Sequence, residues 1–218
     1  MKIIKDLYFY PWASVQENNA NTVFINGPVP TLIDPGYSHL LDNVLEGMSK
    51  DGLDPRATRM AIFTHSHPDH LEGINRLGDS ILRAIGKDEY EFMQSRGNEL
   101  FMAGSAARGM QPFEILLHEG PLELGDKTLN VILTPGHSAG SICLYWKKEK
   151  VLISGDTIFN MGVGRTDLPG GSMDQLAQSI KTLSKLDIEY LIPGHGEMLK
   201  GKAAIQKNFE MILTQFFR

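Results

Sequence analysis

The chain of 218 residues contains a single cysteine, Cys143. No internal disulfide can form, which fits a reducing cytoplasm. Cys143 stands in "SICLYW", a strand-like apolar run with no cation nearby in sequence to lower its pKa. A small buried hydrophobe is expected there rather than a reactive thiol. Runs of like charge are missing too, and the net charge is -5, so the basic footprint of a nucleic-acid binder is absent. No apolar run approaches membrane-spanning length. The opening "MKIIKDLYFYPWASVQ" is interrupted by Lys5, Asp6, Pro11 and Trp12 and lacks the continuous apolar region of a secretory signal. Short-period repeats, linkers and low-complexity tracts are not seen either.

With 42% hydrophobic and 22% charged residues, a chain of this length can bury a full core, and one domain over residues 1–218 is expected. Its first third reads as short strands, "IIKDLYFY", "NTVFIN" and "PTLID", followed by a helix in "SHLLDNVLEGMSK" with Ser38 as N-cap. The strand "MAIFT" runs into "HSHPDH", after which "LEGINRL" continues as helix. Next come a strand "SILRAI", a helix over about residues 87–94, and the Gly-, Ala- and Met-rich segment 95–112, either a lid or substrate loop or an ordinary surface connection. Four strand-like runs, "FEILL", "KTLNVILT", "SICLYWKK" and "KVLISG", precede a helix in "MDQLAQSIKTLSKL", a strand "EYLIP" and a terminal helix ending at Phe216-Phe217. Such alternation in two similar halves favours an α/β layered domain.

The stretch "THSHPDH" holds three of the seven histidines. In an extended segment leaving a strand, His65 and His67 point to the same side and can share one cation. Pro68 suits the first turn of a helix, so Asp69 and His70 fall in that turn and can face a second cation. Three later pieces add coordinating groups: "TPGHSAGS" supplies His137, "ISGDTIF" supplies Asp156 and "IPGHGE" supplies His195. Each follows an apolar strand-like run and stands beside glycine, at a strand end with little bulk around it.

Taken in order, H-x-H-x-D-H, T-P-G-H-S-x-G, G-D and P-G-H-G resemble the metallo-β-lactamase superfamily, over Asp34 to His195. The resemblance implies a four-layer αββα sandwich, two mixed sheets face to face with helices on the outer faces and a metal site at one edge. It further implies two divalent metal ions, zinc first, with iron or manganese also suited to a mixed His/Asp set. His65, His67 and His137 would hold one ion, Asp69, His70 and His195 the other, and Asp156 would bridge them. Asp34, in "TLIDPGYS", would support the ligands from behind; a plain turn-starting Asp is its other reading.

Two dications roughly 3.5–4 Å apart polarise a carbonyl and activate a water, and Asp69 would orient that nucleophile and take its proton. The segment "SGDTIFNMGVGRTDLPGGS" resembles short bacterial glyoxalase II-like hydrolases, which cleave thioesters. Thioester or related ester hydrolysis of a small molecule, in the cytoplasm and away from nucleic acid and membrane, is therefore expected. Arg165 either binds a substrate carboxylate or pairs with an acid such as Asp167. Only 23 residues follow His195, fewer than the helical domain with which full-length glyoxalase II binds glutathione. Alternatives are a lactonase-type hydrolase and a persulfide dioxygenase with one iron on His65, His137 and Asp156. The one cysteine, Cys143, falls within a strand-like run rather than at a metal position, which disfavours the β-lactamases that use a cysteine ligand.

Overall fold

The computed structural model describes residues 1–14, 16–101 and 113–217, the side chains of 96–101 excepted. Its first half runs β1 (Lys2–Ile4), β2 (Leu7–Tyr10), β3 (Thr22–Ile25), β4 (Thr31–Ile33), α1 (Leu41–Lys50), β5 (Met60–Phe63), α2 (Pro68–Leu71), β6 (Leu82–Gly86), α3 (Lys87–Phe101) and β7 (Ile115–Leu117). The second runs β8 (Gly120–Glu123), β9 (Thr128–Leu133), β10 (Ile142–Trp146), β11 (Val151–Gly155), β12 (Ile158–Phe159), β13 (Gly162–Val163), α4 (Met173–Leu183), β14 (Tyr190–Pro193), β15 (Leu199–Lys200) and α5 (Lys202–Gln215). Strands β1 to β7 form one sheet in sequence order, antiparallel as far as β4 and parallel from β4 to β7. The other sheet has the order β15-β14-β11-β10-β9-β8, and only its β14–β11 pair is parallel.

Residue alternation explains how these strands stack. In β2 and β3, Leu7, Phe9, Val23 and Ile25 face one way, into a core shared with Ile62, Leu144, Ile153 and Ile192 from both sheets. Their neighbours Tyr8 and Phe24 face the other way, onto Leu41, Val44 and Met48 of α1, which recur at helical spacing. The second sheet repeats the pattern: Leu144 points inward, while Cys143 and Tyr145 pack under Leu176, Ile180 and Leu183 of α4 and Phe209 of α5. Strands apolar on both faces need cover on both faces, and four layers, αββα, result. No helix among the described residues is long and apolar enough to cross a membrane.

Three local expectations differ from the structure. Ser38 does not cap α1, whose N-cap is Leu40; its hydroxyl instead donates to the Glu72 carbonyl at 2.6 Å. The continuation after α2 is not an α-helix but a 3-10 turn, Glu72–Arg76, because Gly73 N–H donates to Gly36 O at 2.6 Å outside its own turn. Of the candidate loop 95–112, residues 95–101 belong to α3, and the rest lies outside the described residues. At the other end, Phe217 packs onto the α4–α5 core whereas Phe216 is exposed.

Ile62 is fully buried in the core between the sheets. Ile62→Ala is expected to cost roughly 2–5 kcal/mol of unfolding free energy, read by urea denaturation with an unchanged slope.

Candidate metal centre

Five strand ends deliver the polar residues to one edge of the sandwich. Asp34 follows β4, the His65–His70 stretch follows β5, His137 follows β9, Asp156 follows β11 and His195 follows β14. At this edge the sheets are joined by these side chains and by backbone bonds such as Ile142 N–H to Thr64 O at 2.9 Å. Little room is left for bulk: a Cβ on Gly194 would lie 2.2 Å from Asp156 Oδ1 and 2.7 Å from the His70 ring. Gly164 is held as tightly, with a Cβ 2.8 Å from His137 Nδ1.

Two clusters share this space. Ligand atoms of His65, His67 and His137 lie within 4.8 Å of one another, as do those of Asp69, His70 and His195, and those of His65, His70 and Asp156 connect the two. His65 Nε2 is 3.2 Å and His67 Nδ1 2.8 Å from His137 Nε2. On the far side His195 Nε2 is 3.1 Å from Asp69 Oδ2, 3.3 Å from His70 Nε2 and 3.4 Å from Asp156 Oδ2.

The outward nitrogens fix what the inward ones can be. His137 Nδ1 donates to Arg165 O at 2.7 Å, so the Nε2 of neutral His137 is a bare lone pair. Thr64 Oγ1 donates to Asp34 Oδ2 at 2.7 Å and so accepts from His65 Nδ1 at 3.1 Å, which bares His65 Nε2 as well. Two lone pairs therefore face each other at 3.2 Å, and a single proton from His67 satisfies only one. Asp156 Oδ1 is buried without a hydrogen-bond partner, although it stands 3.2 Å from His70 Nε2. Converging lone pairs and an orphaned buried carboxylate oxygen fit divalent cations, and the residues present suit them.

Titration follows the same division. Burial, then the neighbouring His137 and His70, pushes the His67 imidazole down to about 4, and burial with the surrounding histidines drives His65 well below its ordinary value. Both are neutral at pH 7, ready to bind metal. Burial alone would lower His195, but its bonds to Asp156 and Asp69 outweigh that and raise it to about 9. Burial opposes ionisation of Asp69, yet His195 and His70 hold its carboxyl below the usual range.

Asp34 is more than a turn residue. Buried and at a left-handed φ of 51°, a conformation uncommon outside glycine, it accepts from Thr64 N–H at 2.8 Å and contacts His70 Nδ1 at 3.0 Å. It thus orients His70 directly and His65 through Thr64. Arg165 forms a two-pronged pair with Asp167 at 2.7 and 2.6 Å, and its carbonyl, not its guanidinium, touches the cluster.

Three contributors carry no motif. Asn18 donates to Asp69 Oδ2 at 2.7 Å. Buried Asn21 donates to Pro193 O and Gly196 O, at 3.0 and 2.9 Å, and so clamps the turn bearing His195. The buried Glu89 carboxylate accepts from both Ser66 and Ser138. The run "ENNANT", polar in front of a strand, was the one signal for the asparagines; nothing in the sequence marked Glu89.

Residues 16–195 match the metallo-beta-lactamase superfamily. The chain belongs to that superfamily. Its αββα layers are the metallo-β-lactamase fold, as expected. The probable metallo-hydrolase MJ0888 of Methanocaldococcus jannaschii is 35% identical over 187 residues, 83% of this chain and 89% of that protein. A hydroxyacylglutathione hydrolase of Francisella tularensis is 30% identical over 72% of this chain, which spans only 54% of that enzyme. Among solved structures, the BLEG-1 B3 metallo-beta-lactamase superposes with a TM-score of 0.75 at 25% identity, covering 97% of this chain and 98% of that one. TTHA1623 in a di-iron-bound form gives 0.69 at 25% identity, with 88% and 91% covered. This superfamily member therefore carries a histidine and aspartate cluster built for metal in a fold of metal-dependent hydrolases.

Asp34→Asn places an amide against donors on both sides, and is expected to weaken metal binding roughly 10–100-fold, measured by equilibrium dialysis. Metal uptake at about pH 7.5 is expected to release protons. The His195 share of that release, present below about pH 9, is lost above it, where the ring is already neutral; a weakly buffered titration with indicator dye reads both.

Proposed function

We infer that the protein is a hydrolase of thioesters or related esters, using two divalent ions. The carrying observation is the complete seven-residue set, whose two clusters meet at Asp156 and His65–His70. His65, His67 and His137 would hold one ion, Asp69, His70 and His195 the other, with Asp156 between them. When bound, such a pair polarises a carbonyl and brings the pKa of a bound water to roughly 7. Zinc is the first choice; the di-iron form of TTHA1623 supports iron as an alternative.

The chain's own residues supply orientation and proton handling. Asp69 is ionised, faces His195 and has Asn18 on Oδ2; that carboxylate can orient a water and accept its proton. Asp34 and the Arg165 carbonyl keep the imidazoles in the tautomers that leave the inward nitrogens free. Burial of His65, His70 and His137 keeps bulk water from competing at the cluster.

Likeness to hydroxyacylglutathione hydrolase supports a thioester substrate. The near-complete overlap with a B3 metallo-beta-lactamase brings in β-lactam hydrolysis as a second reading. A one-iron dioxygenase on His65, His137 and Asp156 would leave the Asp69–His70–His195 cluster without a task.

Metal analysis beside a panel of thioesters, lactones, β-lactams and persulfides tests the proposal. About two ions per chain, with thioester turnover abolished by chelation and restored by metal, is expected. A single iron with oxygen uptake on a persulfide and no thioester cleavage would sink it. Asp69→Asn is expected to lower kcat roughly 10²–10⁴-fold with a smaller change in KM, metal content being checked in parallel.

A further inference from the structure

Glu89 lies outside every ligand motif, in the first turn of α3, and is 0% exposed. A carboxylate so buried is costly unless fully hydrogen-bonded. Here it is: one oxygen accepts from Ser66 N–H at 2.9 Å and from the Ser66 hydroxyl. The other accepts from the Ser138 hydroxyl and from Gly140 N–H, both at 2.8 Å.

The donors say what this bracket is for. Ser66 stands between His65 and His67, and Ser138 directly follows His137. The two oxygens of one side chain therefore hold the two loops, from different sheets, that bring the first cluster together. Their contact is also close in backbone terms, since a Cβ on Gly140 would lie 1.9 Å from Glu89 N. The other cluster is fastened differently: Asn21 holds the His195 turn, Asn18 and Ala20 N–H meet Asp69, and Asp34 meets His70.

We propose that Glu89 is a positioning residue for the His65–His67–His137 site, setting the distance between the loop of His65 and His67 and the loop of His137, and that it acts on this site rather than on the second. The proposal rests on reading the cluster as a two-metal centre. Four acceptor positions are used, and glutamine cannot provide them: whichever way its amide turns, its NH2 faces a backbone N–H, that of Ser66 or Gly140, which can only donate. Glu89→Gln keeps the volume but opens one half of the bracket.

The test separates the sites by removing each in turn. In a His195→Ala background, zinc binding reports the His65–His67–His137 site, and adding Glu89→Gln is expected to weaken it roughly 10–100-fold. In a His137→Ala background, the same change is expected to cost less than about threefold, in the manner of uncoupled positions. Ser138→Ala, which removes a single donor from the bracket, serves if Glu89→Gln does not fold, and should weaken only the first site. Equal losses in both backgrounds mark Glu89 as a general stabiliser and overturn the proposal, as does no loss in either while the parent protein binds two zinc ions. A parent protein that binds no zinc, iron or manganese would overturn the metal-centre reading itself.

Discussion

The working edge of this protein is set by converging lone pairs. The Nε2 atoms of His65 and His137, bared because the protons of their rings face outward, lie 3.2 Å apart with the Asp156 carboxylate close by. A cation placed there would turn each lone pair into a bond. The sandwich tolerates such a site because large apolar cores on three levels hold the strand ends regardless.

Hydrogen bonds behind the ligands give that edge its order. Asp34, Thr64 and the carbonyl of Arg165 decide which nitrogen of the His65, His70 and His137 rings carries a proton. Asn21 and Glu89 decide how far apart the loops stand. Neither group touches what the ligands would hold. Both act through geometry, and the glycines at 140, 164 and 194 allow backbone and side chain to approach closely enough for it to work.

The candidate ligands were legible in the sequence because coordination demands particular residue types at short spacing, and His65, His67, Asp69 and His70 satisfy it within six positions. A layered α/β domain was legible from the alternation of strands and helices, whereas its four layers came only with the family resemblance. Glu89 was not, since one acid at the start of a helix looks like any favourable N-terminal charge, and its meaning lies in two serines 23 and 49 residues away. Ser38 misled for a related reason: a residue suited to capping lies two positions before the N-cap Leu40, and its hydroxyl donates to the distant Glu72 carbonyl. Arg165 showed the limit most clearly, because the sequence drew attention to its guanidinium while its backbone oxygen makes the contact that matters to His137.

Cys143 carries a consequence of a different kind. Its sulfur is fully buried under α4, near Thr134, Thr157 and the Ser154 carbonyl, with burial first among the causes that push the thiol up to about 11. As a neutral thiol without solvent access it is a poor target for peroxide. Since the candidate ligands are all imidazole and carboxylate, oxidants have no thiolate to attack at the centre.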